Sequence, residues 1–95
     1  MRPSIALKNK REEVLEIISR YTVANPRVFG SVLHGTDTEG SDLDILVDVL
    51  PGTGLGIFKL EAELESTLGV AVEVMTPDCL HRFFRTKVMA EALPL

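Results

Sequence analysis

Phe29-Gly30-Ser31-Val32-Leu33-His34-Gly35-Thr36-Asp37-Thr38-Glu39-Gly40-Ser41-Asp42-Leu43-Asp44-Ile45-Leu46-Val47 leaves one apolar segment through Gly30-Ser31, crosses a polar loop, and re-enters an apolar segment that carries Asp42 and Asp44. Two carboxylates separated by one residue on a strand project from the same face, with Cα atoms about 6 to 7 Å apart, so both can reach one metal site. Packing does not ask for this arrangement, because a strand gains by burying apolar groups and loses by holding like charges side by side. A cation reverses that sign. In isolation an Asp-x-Asp pair reads more often as a solvated strand face, so the rest of the chain has to decide.

The sequence has 95 residues, enough for a single domain over 1–95 with one hydrophobic core. At 45% hydrophobic and 25% charged residues its composition is that of an ordinary soluble globular domain. A formal charge of −4 argues against a protein that coats a nucleic-acid backbone, which needs a basic surface, so no direct nucleic-acid binding is expected. A phosphate substrate would have to arrive with metal. Cys79 is the single cysteine, which excludes an internal disulfide and makes a reducing, cytoplasmic setting the expectation. No stretch approaches a membrane span, and Met1-Arg2-Pro3-Ser4 is not followed by a signal-length apolar run.

Upstream of the central stretch, residues 9–21 read as an amphipathic helix with Val14, Ile17, Ile18 and Tyr21 on one stripe, Asn9 and Glu12 resembling a capping box, and a start as early as Ser4 also allowed. Asn25-Pro26 is expected to end this segment. Arg27-Val28-Phe29 is a short strand punctuated by Gly30-Ser31, where glycine admits a close backbone approach and Ser31 offers a hydroxyl and an N–H. A short helix beginning at Ser31 would turn its unpaired N–H groups towards an anion.

Downstream, Asp42 to Val49 alternates, with Leu43, Ile45, Val47 and Val49 facing the core and Asp42, Asp44, Leu46 and Asp48 facing away. Pro51 to Gly54 is a turn, and Leu55 to Leu68 a helix with Ile57, Leu60, Leu64 and Leu68 at helical spacing and Glu61, Glu65, Lys59 and Glu63 as an outward charged face. Gly69 stops it. Val70 to Met75 is a strand with Glu73 set among apolar neighbours; such a Glu lies on an exposed edge or is paired or metal-bound, because burial unpaired costs several kcal/mol. Thr76-Pro77-Asp78 caps a final helix whose apolar side is Leu80, Phe83, Phe84 and Val88, with core packing the expected task of the phenylalanines. Ala90 to Leu95 is apolar and would either complete the core or dock on a partner.

Gly30-Ser31, ten residues, then Asp42-x-Asp44, with Gly69 shortly before Val72-Glu73-Val74, resembles the signature of the polymerase-beta nucleotidyltransferase superfamily, and the short chain is similar to its minimal nucleotidyltransferases. The resemblance implies an α/β (α+β) fold, a small mixed β-sheet backed by helices, and transfer of a nucleoside monophosphate to an acceptor. It implies that Asp42 and Asp44 hold two Mg²⁺ ions, that Gly30 and Ser31 cradle the β- and γ-phosphates of ATP, and that Glu73 stands at the third carboxylate position as metal ligand or base. Many minimal members are antitoxins that adenylylate a tyrosine of a HEPN-type ribonuclease toxin, so such a partner and a homo- or hetero-oligomer are implied as well. Two departures stand out: Glu73 where the family commonly has Asp, and Leu33-His34 where many relatives have Ala-Arg before the glycine. The alternatives are a catalytically weak antitoxin acting by occlusion and a nucleotidyltransferase for a small hydroxylated molecule such as an aminoglycoside.

Overall fold

A computed structural model describes residues 1–53 and 56–95; Gly54 and Leu55, assigned above to a turn and a helix start, lie outside the described residues. The elements run α1 (Pro3–Ser19), β1 (Val23–Phe29), α2 (Gly30–His34), β2 (Leu43–Val49), α3 (Gly56–Leu68), β3 (Val72–Met75), a 3-10 turn (Pro77–Cys79), α4 (Arg82–Glu91) and β4 (Leu93–Pro94). The strands form a mixed sheet in the order β3-β2-β1-β4, with β2 parallel to β3 and β1 antiparallel to both β2 and β4. The expected fold class is therefore observed.

The core follows the period-two pattern of β2. Leu43, Ile45 and Val47 are fully buried and meet Val28, Val72 and Val74 from the flanking strands, with α1 laying Val14, Ile17 and Ile18 and α3 laying Leu60, Leu64 and Leu68 over them. Val49, expected on this face, is half exposed at the strand end. A smaller cluster of Phe29, Leu46 and Leu80, joined by Met75, Val88 and Ala92, covers part of the opposite sheet face. Leu46 is thus buried on a face that the alternation marked as outward.

Several boundaries differ from the sequence expectation for identifiable reasons. The first helix begins at Pro3, a favoured first-turn proline, and runs through a kink at Lys10 where φ is −127° and ψ 26°, so the Asn9 position lies just before a break rather than at a helix start. β1 extends back to Val23 because it carries Asn25-Pro26 on a register shift between Ala24 and Arg27, with Asn25 at φ 53°. A bulge is one of the few places where a strand tolerates a residue with no N–H to give. β3 is shorter than expected, starting at Val72. The last helix is capped by His81, whose Nδ1 accepts from Phe83 N at 3.2 Å, not by Thr76 or Asp78.

The first turn of α4 carries the clearest reversal. Phe83 and Phe84 are 74% and 63% exposed, so they are surface residues, while Leu80 and Val88 alone follow the expected apolar side. Beyond them, Leu93 and Pro94 add to β1 as a short edge strand and Leu95 packs on the main core. No helix among the described residues is long and apolar enough to cross a membrane.

Candidate active site

The parallel pairing of β2 with β3 puts Asp44 opposite Glu73, and the antiparallel pairing of β2 with β1 puts Asp44 opposite Phe29, the residue before Gly30. One position of β2 thereby joins the Gly-Ser bend to the third carboxylate. Asp44 is half-buried, and burial, then the charges of Glu73 and Asp42, then a hydrogen bond with Glu73 push its carboxyl up to about 6. Asp42 precedes the strand and is exposed, as is Glu73 on the edge strand.

Gly30 opens α2 in the left-handed region at φ 73°, and a Cβ there would collide with Asp44 Oδ2. The glycine requirement is therefore twofold, and the close approach it permits is to Asp44 itself. The helix that follows is a single five-residue turn, Gly30–His34, closed by Gly35 at φ 72° with Thr36 N donating to Ser31 O at 3.0 Å. His34, in place of the Arg expected from the resemblance, sits with Nε2 3.0 Å from Glu91 Oε2 of α4.

Asp48, on the same face of β2 as Asp44, does not belong to the site. Its Oδ1 accepts from Arg27 at 3.0 and 3.3 Å, and Arg27 is buried. By contrast, the ion pairs among the described residues leave Asp42, Asp44 and Glu73 unmatched. Among the described residues no three His, Cys, Asp or Glu side chains stand grouped to hold a metal ion. Asp42, Asp44 and Glu73 offer only carboxylate oxygens, the ligand type Mg²⁺ takes, and Mg²⁺ is usually bound by one or two carboxylates with water and substrate phosphates completing its shell.

Asp42 and Glu73 also share an open cavity of about 520 Å³ with Phe58, Glu61, Glu65, Met75 and Cys79. Glu65 is exposed, as expected of an outward charged face, and Glu61 is partly buried. Both also reach the strand: Glu61 Oε2 accepts from Val74 N at 2.8 Å and Glu65 Oε2 from Val72 N at 3.0 Å. Residues four apart on a helix match the spacing of residues two apart on a strand, and the free edge of β3 is thus satisfied by α3. The i,i+4 spacing of these glutamates was legible in the sequence, but their partner was not. Asp37 was also passed over: its side chain is fully buried and accepts from Ser4 N at 2.9 Å and Arg2 at 3.3 Å, which holds its carboxyl below the usual range, chiefly through the Ser4 backbone bond.

The chain and its fold resemble known proteins. The profile of a nucleotidyltransferase domain family matches residues 7–95. MJ0435 of Methanocaldococcus jannaschii, assigned as a protein adenylyltransferase, is 31% identical over 84 residues, covering 87% of this chain and 90% of the relative. The protein adenylyltransferase MntA of Thermococcus cleftensis is 35% identical over 80 residues, covering 82% and 80%. A solved structure assigned as a minimal nucleotidyltransferase superposes with a TM-score of 0.84 at 39% identity, covering 97% of this chain and 95% of that one. A toxin-antitoxin structure with AMP-PNP shares the fold, with a TM-score of 0.71 at 20% identity over 87% of this chain and 69% of that one.

Proposed function

Since the chain belongs to the nucleotidyltransferase domain family and is a nucleotidyltransferase enzyme, we propose that it transfers AMP from ATP to a hydroxyl of a protein partner and so acts as the antitoxin of a toxin-antitoxin pair. The observation that carries this is the register match of Asp44 with Glu73 beside Gly30. β2 and β3, from separate parts of the chain, set Asp44 and Glu73 side by side although their like charges repel. The likeness to relatives named as protein adenylyltransferases supports a protein acceptor, and the AMP-PNP bound in the toxin-antitoxin neighbour supports an adenine nucleotide.

In this reading Gly30 and Ser31 bind the β- and γ-phosphates, the backbone approaching closely because no Cβ intervenes. Asp42, Asp44 and Glu73 hold Mg²⁺, which when bound would neutralise the triphosphate and stabilise charge developing on the attacking and leaving oxygens. The acceptor oxygen forms a bond to the α-phosphorus, the bond to the β-phosphate oxygen breaks, and pyrophosphate leaves. Glu73, exposed at the sheet edge, takes the acceptor proton. The partner is a HEPN-type ribonuclease in the cytoplasm whose tyrosine hydroxyl is the acceptor, and the exposed Phe83 and Phe84 give it a place to dock.

The same two phenylalanines favour one second reading, neutralisation by occlusion without turnover. Incubating the protein with labelled ATP, Mg²⁺ and the toxin encoded beside it separates the two. Label on the toxin that vanishes with Asp42→Asn plus Asp44→Asn supports transfer; inhibition of the toxin that is unchanged by the double substitution supports occlusion.

A further inference from the structure

In the stretch from His34 to Gly40, Asp37 is the one buried residue; its neighbours Thr36, Thr38, Glu39 and Gly40 are exposed. A carboxylate is rarely buried unless its oxygens are satisfied. Here Oδ2 accepts the Ser4 N–H of the first turn of α1 and Oδ1 faces Arg2. α1 has no capping side chain of its own at Arg2, so its first turn is capped from 33 residues away.

What hangs from this anchor is specific. Immediately after Asp37, Thr38 N donates to Ser41 Oγ at 2.8 Å and Ser41 N to Thr38 O at 3.0 Å, closing a tight turn. Asp42 comes next, and Leu43 N then bonds Ala71 O at 2.8 Å as the sheet begins. Asp44 and Glu73 are placed by strand pairing. Asp42 lies outside the strand, so its place is set on one side by the sheet and on the other by the Thr38–Ser41 turn and its anchor.

We infer that Asp37 is a positioning residue for Asp42: by fastening the loop to the start of α1 it sets where the first carboxylate stands relative to Asp44 and the Gly30-Ser31 bend. The inference rests on the reading of Asp42 as a metal ligand. It requires of residue 37 an oxygen acceptor more than a charge, because the Ser4 N–H is the shorter bond and Arg2 is free to turn to solvent.

The test measures binding of Mn²⁺ in place of Mg²⁺, by electron paramagnetic resonance of the free ion, in the presence of a non-hydrolysable ATP analogue. Asp37→Ala raises the Mn²⁺ half-saturation concentration at least fivefold. Asp37→Asn, which keeps the acceptor, stays within twofold of wild type. Val14→Ala, a core substitution that lowers the melting temperature without touching the loop, leaves Mn²⁺ affinity unchanged. Ser41→Ala, which opens the turn but leaves the buried carboxylate, weakens Mn²⁺ in the same sense and carries the test if Asp37→Ala does not fold. Wild-type affinity in Asp37→Ala or Ser41→Ala, or an equal loss in Val14→Ala, overturns the inference while leaving the site reading intact. A wild-type protein that takes up no Mn²⁺ overturns both.

Discussion

Gly30 and Asp44 occupy each other's space: a side chain at residue 30 would stand where Asp44 Oδ2 now lies. The bend proposed for phosphate binding and the strand proposed for metal binding are therefore packed against each other at this point.

Gly30→Ala tests that packing. Its left-handed φ costs an alanine roughly 1 to 2 kcal/mol, and the collision with Asp44 adds to it. The expected result is a melting temperature lower by at least about 5 °C for a domain of this size and transfer activity reduced at least about 100-fold. Ser31→Ala, with no such collision, should lower nucleotide affinity with little change in melting temperature.

Asp44 gives a pH dependence whose sign is fixed by its environment. Its carboxyl is raised from 3.8 to about 6, so the folded protein holds that proton more tightly than the unfolded chain. The associated stability is present below the unfolded value and is lost as pH rises through about 6. Asp44→Asn removes the repulsion permanently. Without added metal it should melt higher than wild type at pH 8, by an amount on the order of 1 kcal/mol once solvent screening of a half-exposed group is allowed for, and equal to wild type at about pH 3, below the unfolded value. Scanning calorimetry at the two pH values checks this, and a substitution that destabilises at pH 8 contradicts it.

Glu61 and Glu65 close the β3 edge, so removing both should expose two strand N–H groups. Glu61→Ala with Glu65→Ala is expected to cost about 2 to 4 kcal/mol in urea unfolding and to make sedimentation concentration-dependent as the bare edge pairs with other copies. Glutamine at both positions retains acceptors and should recover most of the loss.

Phe83→Ser with Phe84→Ser should leave stability within about 0.5 kcal/mol, since both rings are exposed. Nucleotide binding should be unchanged while label transferred to the toxin falls at least about tenfold. A parallel loss of nucleotide binding would remove these residues from the partner surface.

Much of the fold was legible because burial obeys periodicity. The alternation of Leu43, Ile45 and Val47 and the helical spacing of Leu60, Leu64 and Leu68 mark residues that the structure buries completely or nearly so. Gly30, Ser31, Asp42, Asp44 and Glu73 are the candidate residues that the sequence offers for the proposed site, and the pairing of Asp44 with Glu73 was not legible there, because it depends on β3 lying parallel to β2, which no local pattern states. Asn25-Pro26, read as the end of the helical segment, instead lies within β1, where the bulge absorbs the proline. Asp37 was invisible for a similar reason: among polar loop residues, the buried one is chosen by the end of a helix 33 residues away. Phe83 and Phe84 followed a helical apolar pattern, yet the second cluster closes with Leu80 and Val88 and leaves the first turn of α4 uncovered.

Asp42, Asp44 and Glu73 are proposed to serve a metal-assisted nucleotide site beside Gly30-Ser31. Isothermal titration of a non-hydrolysable ATP analogue, with and without Mg²⁺, tests it most directly. Binding is expected to strengthen at least about tenfold with Mg²⁺ in wild type and to lose that gain in Asp44→Asn; equal affinity with and without Mg²⁺, or no binding at all, rules out the proposed site.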